Sequence, residues 1–578
     1  MLKEKILNLI EKSVQKEQKN GFFLKFDLAE IKTEIPENNI FGDYSTNIAL
    51  LLGKIEKKNP MEVANVLLND FNAKKLDIFE KIEIKEPGFI NFFVSKKYLF
   101  NNLKNVLQKK DYGFLKPLKG KKIIIEFTDP NPFKLFHIGH LYSNIVGESL
   151  CKLIETLGAT VRRANYQGDV GLHVAKAIWG FLDLKERNPK EFHPEDIEDW
   201  ARSYMYGAQM YEEDKKAKEE IIIINKELYK KSGPKINELY RKGRKLSLDY
   251  FEKIYKRLGV KFDYYYFESE VADFGKKIVK DGLEKGIFKK SEGAIIFPGE
   301  DYGLHNRVFV NSQDLPTYEA KELGLAITKY KKFKYDKSII ITGNEVNEYF
   351  KVLIMALMQI DPVLGGKTFH IGHGMVRLSE GKMGSRTGNV VTAESLLEDT
   401  KSLVFDLIKS STDFLPKEKE DVIEKITMAA VKYSLLKTSI GQDIVFDFKT
   451  SLNIKGNSGP YLQYSAVRCK SLIKKAKYKV SADGFQKEID FSKEELSVLR
   501  RIIHFPEIVA EAAQNYSPNI ICNFAFQLAQ EYNVFYNTNP ILNSEKEVKN
   551  FRLFLTSAVL RILEKSLYLL GIPIPEKM

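Results

Sequence analysis

The sequence predicts a multidomain α/β protein: a small α/β domain, then a doubly wound parallel sheet interrupted by a helical insertion, then an all-α bundle. Three observations predict it. Ile123-Ile124-Ile125 and Ile339-Ile340-Ile341 are short, continuous β-branched runs, the mark of strands buried on both faces of a parallel sheet. The stretch from about 183 to 257 is rich in Lys and Glu at i,i+4 spacing and reads as helices inserted between the two halves of that sheet. From about residue 396 the chain is nearly all helix in pattern.

Taken in order, MLKEKILNLIEKSVQKEQKN is an amphipathic helix, and EPGFINFFVS is strand-like with Pro87-Gly88 as its turn signal. These belong to a first domain ending near residue 115. The basic stretch Lys116 to Lys122 leads into the first buried strand, and the second is ended by Thr342-Gly343-Asn344. In the final helix Phe551, Phe554, Leu555, Ala558, Val559, Ile562, Leu563, Leu567 and Leu570 fall on one face, with Gly571 and Pro573 as stop signals. The expected boundaries are 1–115, 116–395 and 396–578.

A chain of 578 residues, 44% hydrophobic, holds several cores, roughly three to four domains' worth. Lys and Arg outnumber Asp and Glu by 90 to 77, and the net charge of +13 favours a polyanionic partner such as nucleic acid. Cys151, Cys469 and Cys522 are odd in number and far apart, which excludes a disulfide framework and a Cys-based zinc site. No apolar run approaches the roughly 20 residues that span a bilayer. The N-terminus, mixing Glu with Lys, is unlike a signal or transit peptide, so a cytoplasmic location is expected.

Only eight histidines occur, and four of them sit in one word used twice, FHIGH at 136–140 and again at 369–373. The first copy follows a buried strand and the Pro-broken loop TDPNPFKLF, and opens the helical pattern LYSNIVGESLCKLIETLG. A strand-to-helix turn of this kind offers backbone N–H groups and a helix dipole to phosphate. His137 and His140 share one side of the first turn, and Gly139 leaves the backbone open to a stacking base. Lys134 adds a point charge. The bland alternatives are two histidines satisfying local hydrogen bonds, or a metal site, which would need a third ligand. A second loop, EGKMGSRTGNVV at 380–391, sets Lys382 and Arg386 among small residues, as a loop closing on a triphosphate would. Standing alone it would be a basic surface turn.

This pairing resembles the HIGH and KMSKS motifs of the class I aminoacyl-tRNA synthetases, and the detailed match is to the arginyl-tRNA synthetases. FGDYSTNIAL and EPGFINFF are similar to that family's N-terminal tRNA-binding domain. EFTDPNPFKLFHIGHLYSNIVGESL and NYQGDVGLHV are similar to its Rossmann-type catalytic core, and SGPYLQYSAVRCKSL, FPEIVAEAA, EYNVFYNTNPIL and LLGIPIPEKM to its helical anticodon-binding domain. The resemblance implies arginine–tRNA ligase activity: arginine attacks the α-phosphate of ATP, and the arginyl group then passes to the 2′-OH of the terminal adenosine of tRNA(Arg), as in class I. Mg²⁺ is expected with ATP rather than in a protein cage, and a monomer is the family's usual form.

Residue by residue, the resemblance assigns arginine to Glu126, Thr128, Asn131, Tyr318 and Glu322. Phosphate contacts and catalysis fall to Lys134, His137, His140, Lys382 and Arg386. In the second FHIGH region it assigns the adenine side to His370, Gly374, Met375 and Val376. A guanidinium is best read by carboxylates, and Glu126 ends a buried strand where an acid is costly without a cationic partner. Phe89 and Asn91 match an aromatic-x-polar pair for a tRNA base, and Tyr464, Arg468, Tyr532, Asn533 and Tyr536 are expected on the anticodon side, with some of them core. Three departures stand out: Ser385 replaces a lysine whose substitute is Lys134, Glu322 stands where Asp is usual, and Val346 and Tyr349 replace a substrate-contacting Gln and a His.

Other readings remain open at this point: a class I synthetase for another cationic amino acid, a nucleotidylyltransferase acting on a small cofactor, and an RNA-binding relative without activity. The second FHIGH word is expected to matter less at its last residue, His373, than the first at His140.

Overall fold

The computed structural model describes residues 1–24, 33–36, 38–73, 77–379, 391–409, 415–478 and 490–578. The chain folds into two compact units, one of residues 1–115, 465–511 and 523–566, the other of residues 116–464, 512–522 and 567–578.

In the first unit, helices α1 (Leu2–Lys19), α2 (Ile48–Glu56), α3 (Pro60–Ala73) and α4 (Lys96–Gln108) accompany a four-stranded antiparallel sheet. Its strands are β1 (Thr33–Glu34), β2 (Tyr44–Thr46), β3 (Phe79–Lys85) and β4 (Phe89–Val94), in the order β1-β2-β4-β3. Tyr44 and Phe92, paired across β2 and β4, are fully buried. The N-terminal segment is tied to the helix Lys493–Gln514 of the same unit: Tyr44 donates its hydroxyl to Glu507 at 3.0 Å, and Arg500 pairs with buried Asp43 at 3.1 Å. All nine apolar residues predicted on one face of the last helix, which spans Lys546–Leu569 and its exit, are buried.

The second unit is built on five parallel strands: β5 (Lys122–Phe127), β6 (Thr160–Gln167), β7 (Tyr264–Phe267), β11 (Lys337–Gly343) and β12 (Thr368–His373). Both Ile runs lie at its centre, in β5 and β11, where each fully buried Ile stabilises by about 1.5–3 kcal/mol. The order is β12-β11-β5-β6-β7, so the chain moves outward from β5 in one direction and then returns to its other side at β11. The crevice between the carboxyl ends of β5 and β11 is therefore the switch point, the place where open α/β sheets bind ligands. Helix α5 (Ile138–Thr156) follows β5. Four helices stand between β6 and β7: α6 (Leu172–Arg187), α7 (Ile197–Glu213), α8 (Lys215–Lys230) and α9 (Pro234–Leu258). They bury Trp200, Phe181 and Ile221 among themselves. Buried Asp169 joins α9 to the turn after β6, accepting from Tyr240 at 3.0 Å, Arg244 at 2.7 Å and the Ser269 backbone at 2.9 Å.

Helix α10 (Glu268–Glu284), a small antiparallel sheet of β8 (Lys289–Ser291), β9 (Ala294–Phe297) and β10 (Arg307–Val310), and α11 (Tyr318–Lys332) precede β11. Helix α12 (Asn347–Ile360) follows it. Beyond β12, the strand Val376–Leu378 pairs in parallel with Ile444–Phe446, a short strand inside the otherwise helical C-terminal region.

Candidate active site

A cavity of about 440 Å³ opens at the switch point. Its walls come from the loop after β5 (Glu126, Thr128, Asp129, Asn131), the start of α5 (His137, Gly139, His140, Ser143), the end of β11 and the start of α12 (Thr342, Val346, Tyr349), and α11 (Tyr318, Glu322). Residues far apart in sequence thus meet because the sheet order brings β5 and β11 side by side. Ser143 fixes that seam: its hydroxyl accepts from the Thr128 N–H at 2.9 Å and donates to the Ile341 carbonyl at 3.1 Å.

The loop TDPNPF is strained. Thr128, Asp129 and Phe133 all have left-handed φ, +81°, +42° and +69°, at about 1–3 kcal/mol each. The loop is held by hydrogen bonds, from the Tyr166 N–H to Asp129 Oδ1 at 2.7 Å and from the Phe133 N–H to Ser247 at 2.9 Å. Gly168 lets Asn131 pack against it: a Cβ there would lie 2.2 Å from Asn131 Oδ1.

His137 is the N-cap of α5. Its Nδ1 accepts from the backbone N–H of Gly139 at 3.1 Å and of His140 at 3.4 Å, while His140 Nδ1 accepts from the His137 N–H at 3.4 Å. The local hydrogen bonds and the open ring nitrogens coexist. With Nδ1 an acceptor in each neutral ring, the proton sits on Nε2, which becomes a donor. Neutrality is enforced: burial, then the charge of Lys134, lowers His137 to about 4, and burial followed by His137 and Lys134 holds His140 well below the ordinary value. Lys134 itself lies over the Tyr204 ring at 4.2 Å.

The opposite wall is acidic. Glu126, Asp129, Glu268 and Glu322 line it, and no lysine or arginine is among the described residues that do. Two lysines of α11 stand behind: Lys329 donates to Glu126 Oε2 at 2.7 Å, with 2% and 1% of the two side chains exposed, and Lys321 pairs with buried Glu268. Among the described residues Glu322 has no such partner. Burial, and next the repulsion of Glu126, push it up to about 8 against the pull of Lys329. The same two causes raise Asp129 well above the carboxylate range. Burial raises Glu268 to about 7 despite Lys321. Tyr318, 54% exposed, sits at the rim as the first residue of α11.

The second FHIGH word is β12. His373 reaches the cavity, whereas His370 lies one layer behind it, stacked on Phe350 at 4.0 Å and bonded to Thr342 Oγ1 at 2.8 Å. Gly374 packs so closely that a Cβ would fall 2.1 Å from the Gln442 carbonyl oxygen. Met375 is exposed, its N–H donating to Asp443 at 2.8 Å, and Val376 is half-buried at the head of the short parallel strand. Lys382, Ser385 and Arg386 lie outside the described residues.

The family model described as "tRNA synthetases class I (R), catalytic domain" matches residues 102–448. The chain belongs to the arginyl-tRNA synthetases. The N-terminal domain model of the arginyl-tRNA synthetases matches 3–94, and the DALR anticodon binding domain matches 462–578. An arginine–tRNA ligase of Fusobacterium nucleatum is 32% identical over 98% of both chains. One from Borrelia hermsii is 29% identical over 100% of this chain and 99% of that one. The solved arginyl-tRNA synthetases of Thermus thermophilus and Plasmodium falciparum share the fold, each with a TM-score of 0.80 at 21% identity over the whole of this chain, covering 100% and 99% of theirs.

Sequence reasoning gave no role to five residues at or behind this cavity: Asp129, Ser143 and Glu268 line it, and Lys321 and Lys329 stand behind its acidic wall. Lys329 left one signal: seven residues after Glu322, it falls on the same helical face. Val346 and Tyr349, which depart from the family pattern, both line the cavity, so its wall there is apolar and aromatic. Away from the cavity, Phe89 is 39% exposed, but Asn91 is buried with its Oδ1 accepting from Ser45 at 2.7 Å. Tyr532 is fully buried, 3.5 Å from Thr556, and so belongs to the core and not to an RNA-facing surface. Tyr464 and Tyr536 are half-buried, and Arg468 lies over the Tyr536 ring at 4.7 Å while donating to Asn533 at 2.7 Å.

Proposed function

We propose that this chain is an arginine–tRNA ligase whose switch-point cavity binds arginine on its acidic wall and the phosphates of ATP at the start of α5. One observation carries this reading: two neutral histidine donors and an excess of buried carboxylate face each other across one cavity. Lys321 pairs with Glu268 and Lys329 with one oxygen of Glu126, which leaves Glu322, Asp129 and the other oxygen of Glu126 without a lysine among the described residues. Arginine brings two cationic groups, a guanidinium and an α-ammonium, and buried acids demand such partners.

In the first step the arginine carboxylate attacks the α-phosphorus of ATP and pyrophosphate leaves. The Nε2–H groups of His137 and His140 donate to phosphate oxygens where negative charge builds, with Lys134, Lys382 and Arg386 adding cationic charge. Glu126, Glu322, Tyr318, Thr128 and Asn131 orient the amino acid, and Gly139, Gly374, Met375 and Val376 flank the nucleoside, while His370, expected there from the resemblance, lies one layer behind and braces Thr342 and Phe350. Mg²⁺ enters with ATP; among the described residues no group of three or more His, Cys, Asp or Glu is arranged to hold a metal. In the second step the 2′-OH of the terminal adenosine of tRNA(Arg) attacks the acyl carbon and AMP leaves. Residues 1–115, with exposed Phe89, serve the tRNA elbow, 116–395 the chemistry, and 396–578 the anticodon, with Arg468 and Tyr536 as the surface contacts.

Amino-acid-dependent ATP–pyrophosphate exchange tests this. Exchange is expected with arginine plus tRNA, and not with arginine alone. No exchange under the first condition, or exchange driven by lysine instead, sinks the proposal; full exchange without tRNA removes the tRNA requirement from it.

A further inference from the structure

The ion pair Lys329–Glu126 is nearly sealed from water, and it lies at the floor of the acidic wall, with Lys329 itself outside the cavity lining. Stability alone is a poor reason for it, because the desolvation of two buried charges offsets most of their attraction and a pair of well-packed neutral side chains of similar volume does as well or better. What the pair changes is the pocket. Lys329 occupies Glu126 Oε2, so Oε1 is the oxygen left for a ligand, and a two-point, in-plane contact with a guanidinium has to fall on Glu322 instead. The charged and titratable groups around the pair are Glu322 on the same helix, Asp129 from the loop after β5, Tyr166 from β6, Tyr266 from β7 and Tyr335 just before β11. Three of the carboxyl groups here, Glu126, Glu322 and Asp129, repel one another, and Lys329 is the cation that opposes this for all three.

We propose that Lys329 is a positioning residue for amino-acid recognition: a built-in counter-ion that holds Oε2 of Glu126 and so presents its one free oxygen to the guanidinium. The inference rests on the arginine reading of the cavity. It assigns different work to the two acids, a single contact to Glu126 and the paired contact to Glu322. It also explains why a lysine is buried on the face of α11 that turns towards a cation-binding pocket, where a second ammonium would otherwise compete with the ligand.

The test is the set Lys329→Met, Glu126→Gln and the double variant, each read by tRNA-dependent exchange for the KM of arginine and of ATP, with thermal unfolding as a check on folding. Lys329→Met is expected to raise the KM for arginine about tenfold or more at neutral pH while the KM for ATP stays within twofold. Each unit by which the acid's pKa climbs past the assay pH costs about tenfold in its charged fraction. The pH profile of kcat/KM for arginine should gain a group whose protonation lowers it, and raising the pH should recover most of the loss, which a merely structural lysine would not allow. The double variant should match Glu126→Gln alone, because Lys329 acts through Glu126. Should Lys329→Met not accumulate folded, the double variant, which buries neither charge, carries the test. An arginine KM within twofold of wild type in Lys329→Met, or a double variant more than threefold worse than Glu126→Gln, overturns the inference. If wild type shows no arginine-dependent exchange, it is the arginine reading that falls.

Discussion

The two FHIGH words have the same five side chains and different backbones. At 136–140 the word caps a helix, with His137 in the N-cap position and Phe136 fully buried. At 369–373 it is an edge strand in parallel register with Ile339–Gly343, and Phe369 is 40% exposed. The neighbours decide. A loop broken by prolines precedes the first word and helix-forming residues follow it, whereas the second lies beside the Ile run of β11, which supplies a ladder to pair with. Context overrides local spelling because five residues are too few to fix either periodicity. Both words nevertheless bring their last histidine to one cavity, since the amino end of α5 and the carboxyl end of β12 both lie at the same edge of the sheet.

That shared destination sets the first and largest prediction. His140→Ala, which removes a neutral Nε2–H donor facing developing phosphate charge, should lower kcat for exchange by about 10²–10³-fold with little change in the KM for arginine. A loss under tenfold would mean that the first word is only a helix cap. His137 does both jobs, and they can be separated. His137→Asn keeps a good cap and loses the ring donor, so its melting temperature should hold while its rate falls. His137→Ala should lose the rate and also about 1 kcal/mol of stability. Equal melting temperatures in the two variants would remove the capping argument.

The acidic wall offers a comparison with the histidine wall, because burial favours the neutral form on both and so moves their proton affinities in opposite directions: the histidines lose a proton and Glu322 keeps one. With Glu322 raised from 4.5 to about 8, the folded empty enzyme holds a proton that the unfolded chain has released. Its contribution to stability is therefore fully present below about pH 4.5 and is lost as the pH rises through 8. A guanidinium needs the carboxylate, so arginine binding should expel that proton. Affinity should rise by up to about tenfold per pH unit below 8 and level off above it. Calorimetry in buffers of different ionisation enthalpy reads the released proton, and heats that do not depend on the buffer would contradict the assignment. Glu322→Gln should abolish the dependence.

How much of this was legible follows from what each residue signals. Buried strands announce themselves through β-branched runs, and the HIGH word through its place after one, so β5, β11, α5 and the carboxylates Glu126 and Glu322 could be read from the chain. Lys321 could not, and Lys329 only by its helical spacing from Glu322, because lysine is among the residues least expected in a core and its burial is explained by acids that arrive from other elements. Asp129 was hidden for a related reason: its place depends on a strained loop whose φ values no composition reveals. On the tRNA-facing side the sequence listed aromatics without their direction. Tyr532 and Tyr536 are four residues apart on one helix, yet one is core and the other half-exposed.

The smallest expected effect lies in the second word and separates its two histidines. His373 lines the cavity, but its Nδ1 faces the carbonyl of its own neighbour Gly374 at 2.9 Å and its ring meets Tyr142 edge-on at 4.7 Å, so local contacts fix it with or without a nucleotide. His373→Ala should change the KM for ATP only a few-fold, about what one net hydrogen bond is worth. His370 is out of the cavity and ties the end of β11 to α12 through Thr342 and Phe350, so His370→Ala should cost about 0.5–1.5 kcal/mol of stability and leave the KM for ATP nearly unchanged. Steady-state kinetics beside thermal unfolding distinguishes the two patterns. If the patterns came out exchanged, with His370 governing ATP and His373 governing stability, the nucleoside would have to lie deeper against β12, between the strand and α12, and the adenine side of the site would be redrawn around the Phe350–His370 stack.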